Sequence, residues 1–112
     1  MTGLILLAAG ASTRMGQPKQ LMPYRGVPMV RHAATVALAS SCRPVIVVTG
    51  ANAEAVGAAL EGLPVTVAFN AEWDGGMGTS IGAGLRALPP DVDFRALGLG
   101  NSGPGYEIAR AL

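Results

Sequence analysis

Residues 4–23 read LILLAAGASTRMGQPKQLMP, an apolar run that passes directly into a loop broken by glycines and carrying two cations. The first four residues, Leu4–Leu7, are typical of a strand buried on both faces. Small residues follow as far as Ser12 and leave backbone N–H groups open to a large ligand, while Gly10 and Gly16 permit backbone angles that other residues rarely adopt. This order of residues predicts a loop that binds phosphate groups.

Two cationic side chains favour a triphosphate as the ligand. Arg14 offers a planar fork to phosphate oxygens, and Lys19 offers a mobile point charge. The spacing differs from two commoner motifs. A P-loop places its lysine directly after the last glycine, whereas Lys19 stands three residues beyond Gly16. A dinucleotide-binding turn needs its second glycine two positions after the first, and after Gly10 that position is Ser12. Walker A and Rossmann dinucleotide sites are therefore not predicted.

Strand-like and helix-like segments alternate along the rest of the chain. In chain order they are a helix at Met29–Ala39 after Pro28, a strand at Val45–Thr49, a helix capped by Asn52 and ending about Glu61, a strand at Val65–Phe69, and a helix from about Thr79 to Leu88. This alternation predicts an α/β fold with a Rossmann-like, doubly wound and mostly parallel sheet, flanked by helices. Ligands bind such sheets beyond the carboxyl ends of the strands, where the phosphate loop is expected.

A second glycine-rich segment, residues 70–85, reads NAEWDGGMGTSIGAGL. Gly78 and the two hydroxyl residues after it place N–H groups and hydroxyls at a predicted helix N-terminus, which suits an anion or the edge of a nucleobase. A structural alternative is that a hydroxyl caps the helix while Gly82 and Gly84 permit close helix packing. Trp73 is interpreted as a packing residue rather than a stacking platform.

Composition predicts one small cytoplasmic domain. The chain has 112 residues, half of them hydrophobic, so it can bury one core, and no compositional break marks a second domain. A net charge of +1 with 13% charged residues leaves no basic field for nucleic acid. The single cysteine, Cys42, can form no internal disulfide, and the apolar N-terminal run breaks at Gly10. Neither an oxidising compartment, a signal peptide nor a membrane span is indicated.

The phosphate loop resembles the signature of the MobA-like nucleotidyltransferase family, which reads LAAG, then S and RMG, then PK followed by LP. The matching residues are Leu7, Ala8, Ala9, Gly10, Ser12, Arg14, Met15, Gly16, Pro18, Lys19, Leu21 and Pro23. Within this family the likeness is greatest to molybdenum cofactor cytidylyltransferases, which read LAAG where the guanylyltransferase relatives usually read LAGG. Ala9 therefore favours CTP over GTP.

The second segment resembles the family as well, in a region that closes over base and ribose. The matching residues are Asn70, Trp73, Gly76, Met77, Gly78, Ser80, Gly84 and Leu85. The resemblance implies a sheet like that of nucleotide-diphospho-sugar transferases, with Arg14 and Lys19 as catalytic cations. It implies nucleotide contacts from Leu7, Ala8, Ala9, Gly10, Ser12, Gly16, Asn70, Gly78 and Ser80.

The reaction that the resemblance implies is nucleotidyl transfer. A terminal phosphate on the molybdopterin side chain attacks the α-phosphate of CTP, pyrophosphate leaves, and a cytosine dinucleotide form of the cofactor results. Loop N–H groups, the two cations and Mg²⁺ are the expected means of aligning the reactants and neutralising the developing charge. A molybdoenzyme or its maturation chaperone is the implied protein partner.

The chain departs from the family at the metal ligand. In the family an aspartate within an LxDxP motif ends the next strand and holds Mg²⁺, whereas residues 96–105 here read ALGLGNSGPG, with Asn101 near the expected aspartate. A neutral amide supplies no countercharge to the metal, so no metal ligand is assigned. Asp91 and Asp93 are assigned to a solvated turn before this strand.

The resemblance covers the chain to about residue 93, and family members are longer. The expectation is one partial, truncated nucleotidyltransferase domain, residues 1–112, with a divergent tail at 94–112. Three functions stay open: a cytidylyltransferase, a related enzyme acting on a sugar phosphate or another phosphorylated acceptor, and a catalytically inactive nucleotide-binding fragment. His32 receives no role, and Arg25 and Arg31 are assigned as solvated charges rather than as part of a second anion site.

Overall fold

The apolar run that opens the sequence forms the central strand of a five-stranded sheet. The computed structural model describes residues 2–10, 13–14, 17–100 and 103–110. Its sheet strands, in chain order, are β1 (Thr2–Ala8), β2 (Val45–Thr49), β3 (Thr66–Phe69), β4 (Asp93–Gly100) and β5 (Gly103–Arg110). Their spatial order is β3-β2-β1-β4-β5. β1 thus lies at the centre of the sheet, and it is apolar on both faces because helices cover both faces of a parallel sheet.

Strands β1 to β4 run parallel, and β5 returns antiparallel to β4. Leu4 pairs with Val45 on one side and with Arg95 on the other. The predicted α/β fold with a mostly parallel sheet is confirmed. Two details were not predicted: β5 forms within the segment that we expected to diverge from the family, and Asp93 is the first residue of β4 rather than part of the preceding turn.

The helices are α1 (Met29–Ala39), α2 (Ala53–Ala59) and α3 (Met77–Ala87). α1 has the predicted bounds. α2 ends earlier than predicted, and the Asn52 side chain makes no capping hydrogen bond, so the predicted cap is wrong. α3 begins at Met77 rather than about Thr79, because Gly76 takes φ 106°, a conformation open to glycine, and turns the chain into the helix.

Short elements fill the connections between these helices and strands. Two antiparallel pairs of two-residue strands and two 3₁₀ turns are present. The pairs are Thr13–Arg14 with Gln17–Pro18 and Pro23–Tyr24 with Val27–Pro28, and the turns are Lys19–Leu21 and Trp73–Gly75. The first pair and the first turn connect β1 to α1 on the carboxyl side of the sheet.

A hydrophobic core lies on each face of the sheet, because successive strand residues point to opposite faces. The face under α1 and α2 buries, among others, Leu4, Leu6, Val45, Val47, Val30, Ala33, Ala37 and Val56. The face under α3 buries Ile5, Leu7, Ala9, Ile46, Val48, Ala83, Leu88 and Ala96. The outer strand β3 is covered less well, and Phe69 near its carboxyl end is 61% exposed. Among the described residues, no helix is both long and apolar enough to cross a lipid bilayer.

Replacing Gly84 with alanine should destabilise the fold, because α3 crosses β1 at this glycine. A Cβ there would lie 2.5 Å from Cγ2 of Ile5, which is fully buried. We expect Gly84→Ala to lower the free energy of unfolding by about 1–3 kcal/mol in urea denaturation. At Gly82 the nearest atom is the end of the Arg86 side chain at 3.5 Å, so Gly82→Ala should stabilise the helix by roughly 0.5–1 kcal/mol. Equal effects of the two substitutions would contradict the close packing.

Candidate nucleotide site

The candidate site lies where the parallel strands end, at the carboxyl edge of the sheet. Three described segments meet there: residues 9–10 after β1, residues 50–52 after β2, and residues 70–76 after β3. Ala9 is buried, and Gly10 is exposed. The predicted phosphate loop therefore begins at the edge where open α/β sheets bind their ligands.

Hydrogen bonds fix the backbone as it leaves β1. The carbonyl of Ala9 accepts from the N–H of Ala51 at 3.1 Å, so the pairing with the neighbouring segment extends past the end of the strand. The carbonyls of Ala8 and Gly10 both accept from Nε2 of Gln20, at 3.0 and 2.7 Å. Our sequence analysis did not single out Gln20. The one available signal was a long polar side chain placed between Lys19 and an apolar run.

The absence of a side chain at Gly50 allows the segment after β1 and the segment after β3 to lie close together. A Cβ at this position would lie 2.5 Å from Cβ of Trp73 and 2.7 Å from the carbonyl oxygen of Ala9. Only glycine fits between them without a shift of the backbone. Trp73 itself packs against the core cluster that contains Leu7 and Ala9, which agrees with its interpretation as a packing residue. This contact of Gly50 was not predicted from the sequence.

Asn70 connects the end of β3 to the start of α3. Its side chain is only 2% exposed. Nδ2 donates to Oγ1 of Thr79 and to Oγ of Ser80, both at 3.0 Å, and Oδ1 accepts from the N–H of Glu72 at 3.0 Å. Both protons and the oxygen of this amide are thus bonded within the protein.

The predicted capping of α3 by a hydroxyl is wrong, because the helix begins at Met77 and Thr79 lies within its first turn. The hydroxyl of Thr79 lies 2.7 Å from the carbonyl of Gly76 and 2.8 Å from that of Glu72, and it donates its single proton to one of them at a time. Ser80, 5% exposed, is held by Asn70, whereas Gly78 is exposed. Asn70 and Ser80 therefore form the wall of the site, and their direct contact with a nucleotide stays a prediction.

The two predicted cations occupy the connection between β1 and α1. Arg14 belongs to the short strand paired with Gln17–Pro18, and Lys19 opens the 3₁₀ turn that carries Gln20. Ser12 and Gly16, predicted as nucleotide contacts, lie outside the described residues, as does Asn101. Of the predicted residues in β1, Leu7 and Ala8 are its last two and are buried.

The profile of the MobA-like NTP transferase domain matches residues 4–97. The chain belongs to this family. The match spans β1 to β3, all three helices and the first half of β4, so it contains every segment that forms the candidate site.

Sequence relatives of this MobA-like domain carry different names. It is 47% identical over 77 residues to a nicotine blue oxidoreductase of Paenarthrobacter nicotinovorans, covering 68% of this chain and 38% of the relative. It is 46% identical over 70 residues to the bifunctional protein GlmU of Syntrophotalea carbinolica, covering 61% of this chain and 15% of the relative. It is 43% identical over 68 residues to the 2-C-methyl-D-erythritol 4-phosphate cytidylyltransferase of Chlamydia abortus, covering 58% of this chain and 30% of the relative. The chain therefore spans less than half the length of these curated relatives.

Solved structures of similar fold include nucleotidyltransferases. A nucleotidyl transferase from Methanothermobacter superposes with a TM-score of 0.79 at 30% identity, covering 88% of this chain and 50% of that one. The Mycobacterium tuberculosis protein Rv0371c, crystallised in complex with manganese, superposes with a TM-score of 0.66 at 27% identity, covering 87% and 48%. The MobA-like chain thus corresponds to about half of each of these proteins.

The residues of this MobA-like chain do not match the magnesium site that the resemblance implies. Among the described residues, no three His, Cys, Asp or Glu side chains lie close enough to hold one ion. Asn101, directly after β4 in the sequence, offers an amide oxygen where the family has a carboxylate. Mg²⁺ is usually held by one or two carboxylates together with substrate phosphates. Within the part of the chain that the structure describes, no such group supplies the anionic ligand that the resemblance implies.

The other arginines considered earlier have structural partners. Nη1 of Arg31 donates to the carbonyls of Ala59 and Glu61, at 3.0 and 2.8 Å, where it satisfies the C-terminal end of α2. Arg31 is therefore a helix-capping cation rather than a solvated charge. The guanidinium of Arg25 lies 5.6 Å from the ring centre of Tyr24, whose ring in turn lies 4.7 Å from that of His32.

Removing the Asn70 amide should loosen the wall of the candidate site. Asn70→Ala leaves the N–H of Glu72 and the hydroxyl of Ser80 without this partner, and we expect a loss of roughly 2–4 kcal/mol in the free energy of unfolding. The matched control is Asn52→Ala, because the Asn52 side chain makes no capping bond. Its effect should stay within about 0.5 kcal/mol. Urea denaturation measures both, and similar losses would contradict the structural role of Asn70.

Proposed function

We propose that this chain carries the nucleotide-binding half of a nucleotidyltransferase that transfers CMP from CTP to the phosphate of a molybdopterin-type acceptor and releases pyrophosphate. One observation carries the proposal. The glycine-broken loop of the MobA-like family begins at the carboxyl end of the central strand, and hydrogen bonds fix the carbonyls of Ala8, Ala9 and Gly10 there.

In this reaction the protein must align the two substrates and neutralise the negative charge that develops on the leaving group. The acceptor phosphate attacks the α-phosphorus of the nucleotide, a P–O bond forms on one side, and the bond to pyrophosphate breaks on the other. Negative charge builds on the leaving pyrophosphate. Backbone N–H groups of the loop and the cations Arg14 and Lys19 supply positive potential where that charge develops. No covalent intermediate with the protein is needed.

CTP is the proposed donor on two grounds. Ala9 gives the loop the LAAG form found in the cytidylyltransferases that it resembles. One relative, 43% identical over 68 residues, is itself named a cytidylyltransferase, and the acceptor in its name is a phosphorylated polyol. That name also supports the second candidate, transfer to a sugar phosphate or another phosphorylated acceptor.

Asn101 favours the third candidate, a nucleotide-binding chain without catalysis. Mg²⁺ would neutralise phosphate charge, but the residues here do not match its site, so no step of the proposed reaction passes through it. A relative named as an oxidoreductase adds weight to this candidate, because it indicates that this segment occurs in proteins with other reactions. We further propose a cytoplasmic location, with a molybdoenzyme or its maturation chaperone as partner.

Binding of CTP tests the nucleotide site directly. In calorimetric titrations the chain should bind CTP more tightly than GTP, and Arg14→Ala and Lys19→Ala should each weaken CTP binding by about tenfold or more, because each removes a charged contact to phosphate. Arg86→Ala is the control, since Arg86 is an exposed cation in the last turn of α3, at the far end of the helix from the site. A folded chain that binds neither nucleotide would refute the proposed function.

Restoring a carboxylate at position 101 tests the metal argument. For Asn101→Asp we expect Mg²⁺ to strengthen CTP binding by about tenfold more than it does in the unmodified chain, because the new charge attracts the cation. Asn101→Gln is the matched control, since it keeps a neutral amide. Titrations with and without Mg²⁺ measure the difference. An equal response of the two variants would show that position 101 does not reach the metal.

A further inference from the structure

Gln20 is a buried polar residue beside the candidate site, and the proposed chemistry does not use it. It lies in the 3₁₀ turn Lys19–Leu21, and its side chain is 4% exposed. Nε2 donates to the carbonyls of Ala8 and Gly10, which are distant in sequence. One amide group thus bridges the turn and the first residues of the loop.

These bonds, together with that from Ala51 to Ala9, fix three successive carbonyls at the end of β1. The carbonyls of Ala8 and Gly10 point to Gln20, while the carbonyl between them, on Ala9, points to the N–H of Ala51. A trans peptide unit carries its C=O and N–H on opposite sides. The carbonyl of Ala8, which is held toward Gln20, therefore turns the N–H of Ala9, in the same peptide plane, away from Gln20. A loop that binds phosphate needs this arrangement, because carbonyl oxygens repel phosphate and N–H groups attract it.

A primary amide is suited to this place. Its NH₂ group has two protons, one for each carbonyl, whereas a carboxylate would present only acceptors to two other acceptors. The same requirement fixes the amide orientation, since a flipped amide would set its oxygen against both carbonyls. The cost is visible in the structure: Oε1 is buried without a hydrogen-bond partner among the described residues, which is unfavourable. A methionine would fill similar space without that cost, so space filling alone does not explain a glutamine.

We infer that Gln20 is a positioning residue of the nucleotide site, which orients the backbone at Ala8 and Gly10 so that the N–H groups of the loop face the nucleotide phosphates. The inference rests on the proposed function. Gln20 acts through the backbone, and its oxygen is buried away from solvent.

Two substitutions that keep a side chain of similar size separate the effect of the Gln20 hydrogen bonds from the effect of its packing. Gln20→Met removes both hydrogen bonds, and Gln20→Glu replaces the donors with acceptors. Measured by calorimetry well below the melting temperature, Gln20→Met should weaken CTP binding by about tenfold, and Gln20→Glu should weaken it further. The control is Val45→Ala, which opens a cavity at the opposite end of the buried strand β2 and should leave CTP affinity within about twofold.

CTP binding by Gln20→Met at the affinity of the unmodified chain would overturn the inference. An equal loss of affinity in Val45→Ala would overturn it too, because any loss of stability would then have the same effect. NMR supplies a readout that needs no nucleotide. The amide resonances of Ala9 and Gly10 should shift in Gln20→Met and stay in place in Val45→Ala.

The NMR readout also separates failure of this inference from failure of the proposed function. If the unmodified chain binds neither CTP nor GTP, the proposed function fails, and the resonances decide the role of Gln20 alone. Shifts confined to the Gln20 variants would then support an orienting role on the backbone. Unchanged resonances at Ala9 and Gly10 would overturn it.

Discussion

Parallel pairing of β1 with a strand on each side is the constraint on which the rest of this structure depends. Parallel strands bring all their carboxyl ends to one edge, so the segments after β1, β2 and β3 meet there even though they are far apart in sequence. At the centre of the sheet β1 is also covered on both faces, by α1 and α2 on one side and by α3 on the other, which its apolar sequence allows. The site is therefore a consequence of the sheet, because no single segment could form it alone.

Two side-chain amides supply hydrogen-bond partners at the carboxyl edge of this sheet. Backbone groups lose their ladder partners where strands end, and buried groups without partners are costly. At the end of β1, Gln20 supplies donors to two carbonyls. After β3, Asn70 supplies donors to two hydroxyls and an acceptor to the N–H of Glu72. Each amide also ties its strand to the element that completes the site, the 3₁₀ turn in one case and α3 in the other.

Local patterns predicted much of this fold from the sequence. The β-branched run at Val45–Thr49 and the alanine-rich helix at Met29–Ala39 have the predicted bounds, because both are dictated by neighbouring residues. The strand β5 was not predicted, although only two residues separate it from β4, because its first three residues, Gly-Pro-Gly, are types that are rare in strands. Asn52 was wrongly expected to cap α2, because a residue type that suits a cap does not fix where its side chain points.

The place of the candidate site at the carboxyl edge of the sheet was predictable from the sequence, whereas the contacts within it were not. The order of glycines and cations along the sequence indicates a ligand. The roles of Gln20 and Gly50 depend on tertiary contacts, which the pattern of hydrophobic residues along the sequence does not reveal. Between them, the two residues determine the partners of three successive carbonyls. Gln20 holds those of Ala8 and Gly10, and the absence of a side chain at Gly50 allows the close approach that pairs Ala9 with Ala51. Fixing three successive carbonyls therefore leaves the backbone little freedom where it leaves β1.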